Sequence, residues 1–449
     1  MDVKRRTREF SQAVRQSPGL IRLTVVRWTN QFGDGFFQAA LGGAILFNPE
    51  RQSDPLAIAV GFMVLLLPYS LVGPFLGTML DRWDRKTVLV CASVIRAVLT
   101  IGAAVVLLNS IEGPALLLIA LAAVGVSRFM LAGLSASLPN IVARNHLVPT
   151  NSILVTIGAG ITGLGAALSI VVVTALGEGD FGSGIAATIA VAAPVATGLA
   201  AWGFVPHALG PRQALGRITK RSYRAEIRAV AGGLAAGSRA VWHSQGVTAA
   251  LTGLAAHRMV FGLNTLIMVL VLRTADDSVR LPGGLAGFGL AIAVAAAGMF
   301  TAAALMPFVI PRIGRTPTVV CGVLIGLTTQ LLLVRMLDHH ALIIAAFFLG
   351  VAGQTIKLTG DAAMQMEIRD SERGRVFALQ DMVFNALFVV AIGLGALVIP
   401  IDGRSLPLVL AGAAAYGVAL LLIFLNSRRK LPPHRAIMRW LRQRIGYSG

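Results

Sequence analysis

Long apolar runs broken by short polar or basic connections recur along the whole chain. Runs long enough to cross about 30 Å of hydrocarbon fall at residues 20–47, 55–79, 87–109, 114–138, 150–176 and 181–206, and again at 246–273, 284–310, 316–336, 341–364, 377–400 and 405–427. A helix closes its own backbone hydrogen bonds, which lipid cannot do for it. The predicted fold class is therefore an all-α membrane protein with twelve transmembrane helices. The basic stretch from His207 to Gln245 divides the runs into two sets of six. The domain reading follows: 1–206, an N-terminal six-helix bundle with a tail; 207–245, a basic linker; 246–427, a C-terminal six-helix bundle; 428–449, a basic tail.

The composition agrees with this pattern. The 449 residues are 56% hydrophobic and only 13% charged, against about a quarter charged in soluble proteins, and mean hydropathy is +0.76. The net charge of +19 is spread over alternate connections rather than gathered in one patch, so it reads as a topology signal and not as a nucleic-acid surface. Arg greatly outnumbers Lys, and Ala, Gly and Val are abundant, which fits a GC-rich bacterial genome; both termini are expected in the cytoplasm, with the chain in the inner (plasma) membrane. The basic N-terminus precedes a segment too long and too polar for a cleaved signal peptide. Cys91 and Cys321 each lie in an apolar run, which implies no disulfide or metal framework. No phosphate-cradling loop and no metal-ligand cluster is present in the sequence, so no cofactor, no metal and no enzymatic activity are expected.

Two basic stretches have a helical apolar face. In the linker, Tyr223, Ile227, Val230 and Leu234 share one face, and in the tail Ile437, Leu441 and Ile445 do. Both read as amphipathic helices against membrane lipids.

Polar residues inside the helices carry the functional reading, because a charge at the bilayer centre costs about 2.5–3.5 kcal/mol on insertion scales. Arg27, Asn30, Gln31 and Asp34 stand at helical spacing on one face of the first helix. Asp34 falls near the midplane, where a structural pair with an Arg is one reading of it. Arg128 in the fourth helix is the candidate to tune it, or else pins helix ends. His257, Arg258 and Asn264 lie near mid-depth in the seventh helix, and Gln354, Lys357 and Asp361 share a face of the tenth. His257 suits proton relay or hydrogen-bonded packing, and Lys357 with Asp361 suits a cavity or mutual neutralisation. Among the buried groups, cations outnumber acids even with Lys357 set against Asp361 and with Arg27 reaching back to the interface. An anionic or strongly accepting substrate group is expected to offset the remainder, Arg96, Arg128 and Arg258.

The stretch GTMLDRWDRK, with Gly77, Asp81, Arg82, Arg85 and Lys86, resembles the loop between the second and third helices of the major facilitator superfamily. It departs from the usual pattern in having Asp84 before the basic pair. The resemblance implies a conformational latch: Gly77 allows close helix approach, Asp81 faces the start of a helix from the other half, and Arg82 and Arg85 hold helix-end carbonyls. PRIGR, Pro311 to Arg315, resembles its second copy without the acid. RWTNQFGDGFFQAAL around Asp34 is similar to the first helix of drug and metabolite exporters of the superfamily, and the resemblance implies that Asp34 is the leading proton or substrate site. VGVSRFMLAGLSASLP around Arg128 is similar to the superfamily's fourth-helix motif, and RDSERGRVFALQD resembles the loop between helices ten and eleven of its bacterial exporters. The fifth helix has Gly158, Gly160, Gly163 and Gly165, spaced for close helix packing, but no Gly-Pro pair of the antiporter motif.

Together these features imply a secondary active transporter that exports a small or amphipathic molecule in exchange for protons, by alternating access between the two bundles. A uniporter, importer or lipid-moving carrier of the same fold is the alternative. A non-transporting scaffold or sensor is a third reading, disfavoured because it has little need of Asp34, Arg128 and Arg258 at membrane depth.

Overall fold

The computed structural model describes residues 17–47, 55–71, 83–111, 114–143, 146–177, 179–210, 223–273 and 282–429. Over the described residues, each of the twelve apolar runs falls on helix. The first six are α1 (Pro18–Leu46), α2 (Pro55–Leu71), α3 (Arg85–Leu108), α4 (Ala115–Ile141), α5 (Leu147–Leu176) and α6 (Asp180–Trp202). The linker supplies α7 (Tyr223–Trp242). The later six are α8 (Gln245–Arg273), α9 (Gly284–Ile313), α10 (Arg315–Leu332), α11 (His339–Glu367), α12 (Asp370–Ala396) and α13 (Leu406–Ser427). Among the described residues, ten helices are long and apolar enough to cross a membrane. α1 has the length, at 29 residues, but its polar stripe lowers its hydropathy.

Two helices depart from the sequence reading. α12 starts at Asp370, so the charged segment expected as a loop forms its first turns. There Arg369 makes a two-pronged contact with Glu372 at 3.1 Å, and Arg373 donates to the Gln365 carbonyl at the end of α11. α6 breaks at Val191. Pro194 has no N–H to offer the Ala190 carbonyl, which interrupts the helical ladder at that turn.

Close packing rests on glycines facing backbone. α1 lies along α5, where a Cβ on Gly35 would collide with the Thr162 carbonyl and one on Gly165 with the Phe32 carbonyl. α9 and α11 repeat the device, with Gly298 on the Phe347 carbonyl and Gly350 on the Ala295 carbonyl. Of the four α5 glycines noted from the sequence, Gly158 and Gly165 face α1, whereas Gly160 and Gly163 meet nothing among the described residues. α2 packs on α12 and α5 touches α9, which joins the first six helices to the last six.

The apolar core is built differently at the two ends. At the end away from the start of α1, here termed distal, one continuous cluster runs through both sets of helices, from Phe36, Phe47 and Phe62 to Leu270, Leu285, Phe388 and Ile392. Its cross-links include Phe47 with Phe288 at 5.3 Å and Phe62 with Phe388 at 6.3 Å between ring centroids. At the opposite, terminal end the core divides. Leu20, Leu89, Met130 and Leu134 belong to a cluster confined to the first six helices, while Val260, Val323, Ile356 and Tyr416 belong to one confined to the last six.

Candidate transport site

Asp34 sits about 24 Å along α1, just below the shared distal core, and is 3% exposed. Its partner is Arg96 of α3, with Nη2 at 2.6 Å from Oδ1. Arg96 also donates to Asn30 Oδ1 at 2.7 Å, Asn30 donates to Asp34 Oδ2 at 3.4 Å, and the Ser127 hydroxyl of α4 donates to Asp34 Oδ1. Three helices are thus tied by one buried knot. The guanidinium expected beside Asp34 from Arg128 comes instead from Arg96, and it is the neighbouring Ser127 that reaches the carboxylate. Arg128 itself is half-buried. Sequence reasoning counted Arg96 among the buried cations but had no signal for its partner, since α1 and α3 are joined only by tertiary packing.

Gln31 lies flat over Gly158, and its Oε1 is buried without a hydrogen-bond partner. Arg27 does not reach back to the interface as the sequence suggested. It is 4% exposed and points to Ser135 of α4 at 3.5 Å, because the polar stripe faces other helices along its whole length.

The later helices hold a second set. Asn264 and Gln330 exchange hydrogen bonds of 2.8 and 3.1 Å between α8 and α10. His257 meets the Tyr416 hydroxyl at 2.8 Å, buried between α8 and α13. Lys357 and Asp361 pair at 2.7 Å on α11, Gln380 donates to the other Asp361 oxygen at 3.1 Å, and Asp381 lies within electrostatic range of both charges. The Lys357 side chain is 39% exposed. Arg258 lies apart from these pairs, stacked on Phe384 at 3.5 Å to the ring centroid, with its Nε donating to the Phe384 carbonyl at 3.2 Å.

Of the expected latch, Gly77, Asp81 and Arg82 lie outside the described residues. Arg85 donates to two carbonyls, Ala136 of α4 at 2.8 Å and Leu209, beyond the end of α6, at 3.2 Å. Lys86 lies over the Trp202 ring at 5.9 Å. Asp84 caps α3 and accepts the His207 N–H at 3.2 Å, which explains an acid at this position. In the second copy the missing acid is supplied from a distance. Glu367, at the end of α11, pairs with Arg315 at 3.2 Å and accepts the Ser244 hydroxyl before α8. The linker helix α7 packs on α12, and the side chains of Tyr223, Ile227 and Val230, like the tail residues expected to form an amphipathic helix, lie outside the described residues. Among the described residues no cluster of metal ligands occurs.

A bundle of long apolar helices with a sealed distal core, a divided terminal core and buried charges between them defines a polytopic membrane transporter. Two curated relatives fix the family. Over 424 residues, 94% of each chain, the protein is 41% identical to an uncharacterized MFS-type transporter of Mycobacterium tuberculosis and equally to one of Mycobacterium bovis. The chain belongs to the major facilitator superfamily. Its fold is similar to that of a peptide-bound POT family transporter (TM-score 0.67, 12% identity, 92% of this chain and 97% of that one). It is also similar to the nucleoside transporter NupG (0.64, 13%, 92% and 99%). A bacterial homologue of the iron transporter ferroportin, solved in an inward-facing state, matches at 0.61 with 17% identity, covering 91% of this chain and 98% of that one. No family model matches the sequence.

Proposed function

We propose that this transporter works in the inner membrane with both termini cytoplasmic, exporting a small or amphipathic molecule in exchange for protons. Residues 1–206 and 246–427 act as two bundles that rock about a central site, with 207–245 as the connection. The observation that carries the reading is the division of the core: shared distally, separate at the terminal end. Such a molecule has a seam that can open on one side while the other stays sealed, as alternating access needs. Export and proton coupling draw their support from the exporter-like first helix and from the buried carboxylate. A proton arriving at Asp34 displaces Arg96 from it, and Arg96 in turn releases Asn30, so loading one proton loosens α1 from α3. A membrane potential contributes about 2.3 kcal/mol per charge per 100 mV to such a cycle.

Gradient-driven flux in proteoliposomes tests this, with a panel of fluorescent amphipathic acids and bases and an imposed pH difference. Accumulation should collapse when a protonophore dissipates the gradient. Equal flux with and without the gradient would replace exchange by the uniport alternative.

A further inference from the structure

Arg258 stands near the middle of α8, about 20 Å from its start, too deep to reach either interface. Among the described residues no carboxylate pairs with it, unlike Arg96 and Lys357. Its guanidinium is held by three rings: Phe384 at 3.5 Å, Phe388 at 4.9 Å and Phe261 at 5.3 Å from their centroids. Nε is used on the Phe384 carbonyl. Among the described residues the two Nη groups have no hydrogen-bond partner, and the side chain is half-buried rather than sealed. The three rings therefore hold the guanidinium carbon in place, and its Nη edge has no partner among the described residues. That edge is the part which binds carboxylate or phosphate in a two-pronged manner.

From this geometry we infer that Arg258 and its phenylalanines form the binding site for an amphipathic organic anion, its acidic group on the Nη edge and its apolar body on the rings. The inference rests on the transporter reading above and adds the class of substrate. The position suits coupling to conformational change. Phe388 packs edge-on against Phe62 of α2 at 6.3 Å, and both rings belong to the distal core shared by the two sets of helices. An occupant beneath that contact touches the seam that must part when the distal end opens. The Asp34 knot already balances its own charge, so it offers an incoming anion no free cation, whereas Arg258 does.

Binding, not flux, is the test. The full chain in nanodiscs is titrated calorimetrically with three probes sharing one ring system: 2-naphthoate, 2-naphthyl phosphate and 2-naphthylmethylammonium. The two anions should bind at least tenfold more tightly than the cation. Arg258→Gln should erase that preference, and Arg258→Lys should keep part of it, because charge survives without the two-pronged edge. Preference for naphthoate over the phosphate, or the reverse, identifies which acid the site takes. Equal or tighter binding of the cation by the wild-type chain would overturn the inference, even if Arg258→Gln fails to fold. So would an anion preference that Arg258→Gln leaves intact. Anion binding lost in Arg258→Gln, together with flux indifferent to the pH gradient, would remove proton coupling and leave the site standing.

Discussion

The two halves of the molecule tie their helices with the same geometry and different chemistry. In the first, Asn30 and Arg96 join α1 to α3; in the second, Asn264 and Gln330 join α8 to α10, and each pair is separated by 66 residues. One offset along the chain carries Asn30 onto Asn264 and Arg96 onto Gln330. The second knot is closed by two reciprocal amide bonds and holds no charge. The first adds Asp34 and Ser127 and is an ion pair. A neutral amide pair of this kind gives helices a fixed register and nothing to titrate. A buried ion pair does the same job at a higher desolvation cost, and among the described residues the matching knot of the second half holds none.

The strongest way to break this comparison is Asp34→Asn. It leaves the Arg96 charge buried and uncompensated, so a loss of about 3–5 kcal/mol in reversible SDS unfolding is expected, with gradient-driven flux falling more than tenfold. Adding Arg96→Gln turns the first knot into a copy of the second. The double variant should recover most of the stability and none of the proton-coupled flux; full recovery of flux would reduce Asp34 to a structural acid.

Glycine contacts come next, and here the halves are expected to agree. Gly35→Ala and Gly298→Ala each press a methyl group into a facing carbonyl. Overpacking of this sort costs about 1–3 kcal/mol, read from the same unfolding assay. If only one of the two destabilises, the helix pairs are not equivalent.

Gln330→Ala unpairs Asn264 and should cost about 1–3 kcal/mol, the penalty for a buried polar group left unsatisfied. Flux per folded molecule should persist, in contrast to the Asp34 variant. Flux lost at unchanged stability would move the second knot from packing into the transport cycle.

The smallest effect belongs to Arg315→Gln at the terminal end, where the pair with Glu367 is partly exposed. A change of about 1 kcal/mol or less is expected. Cysteine-accessibility labelling of the same variant should show whether releasing Glu367 alters the balance between the two open states; Asp81→Asn provides the matching measurement for the first copy of the loop.

Hydrophobic patterning determined which stretches are helical, because a run that must cross lipid declares its length in its own residues, but not every end: α12 begins in the charged segment at Asp370, ahead of its apolar run. It also determined that Asp34, Arg96, Arg258 and Lys357 had to face inward, since lipid excludes charge regardless of the partners available. The pairing at Lys357 and Asp361 was legible too, being one turn apart on one helix. What only the tertiary structure decided is which side chain meets which across helices. Arg96 rather than Arg128 took Asp34 because the rotation of α3 and α4 against α1 brings Arg96 and Ser127 to the carboxylate, and no spacing along one chain encodes that rotation. Glu367 found Arg315 from the far end of another helix for the same reason. The division of the core likewise belongs to packing: Phe62 and Phe388 are ordinary apolar residues in sequence, and their contact across the seam exists only once two distant helices are set side by side.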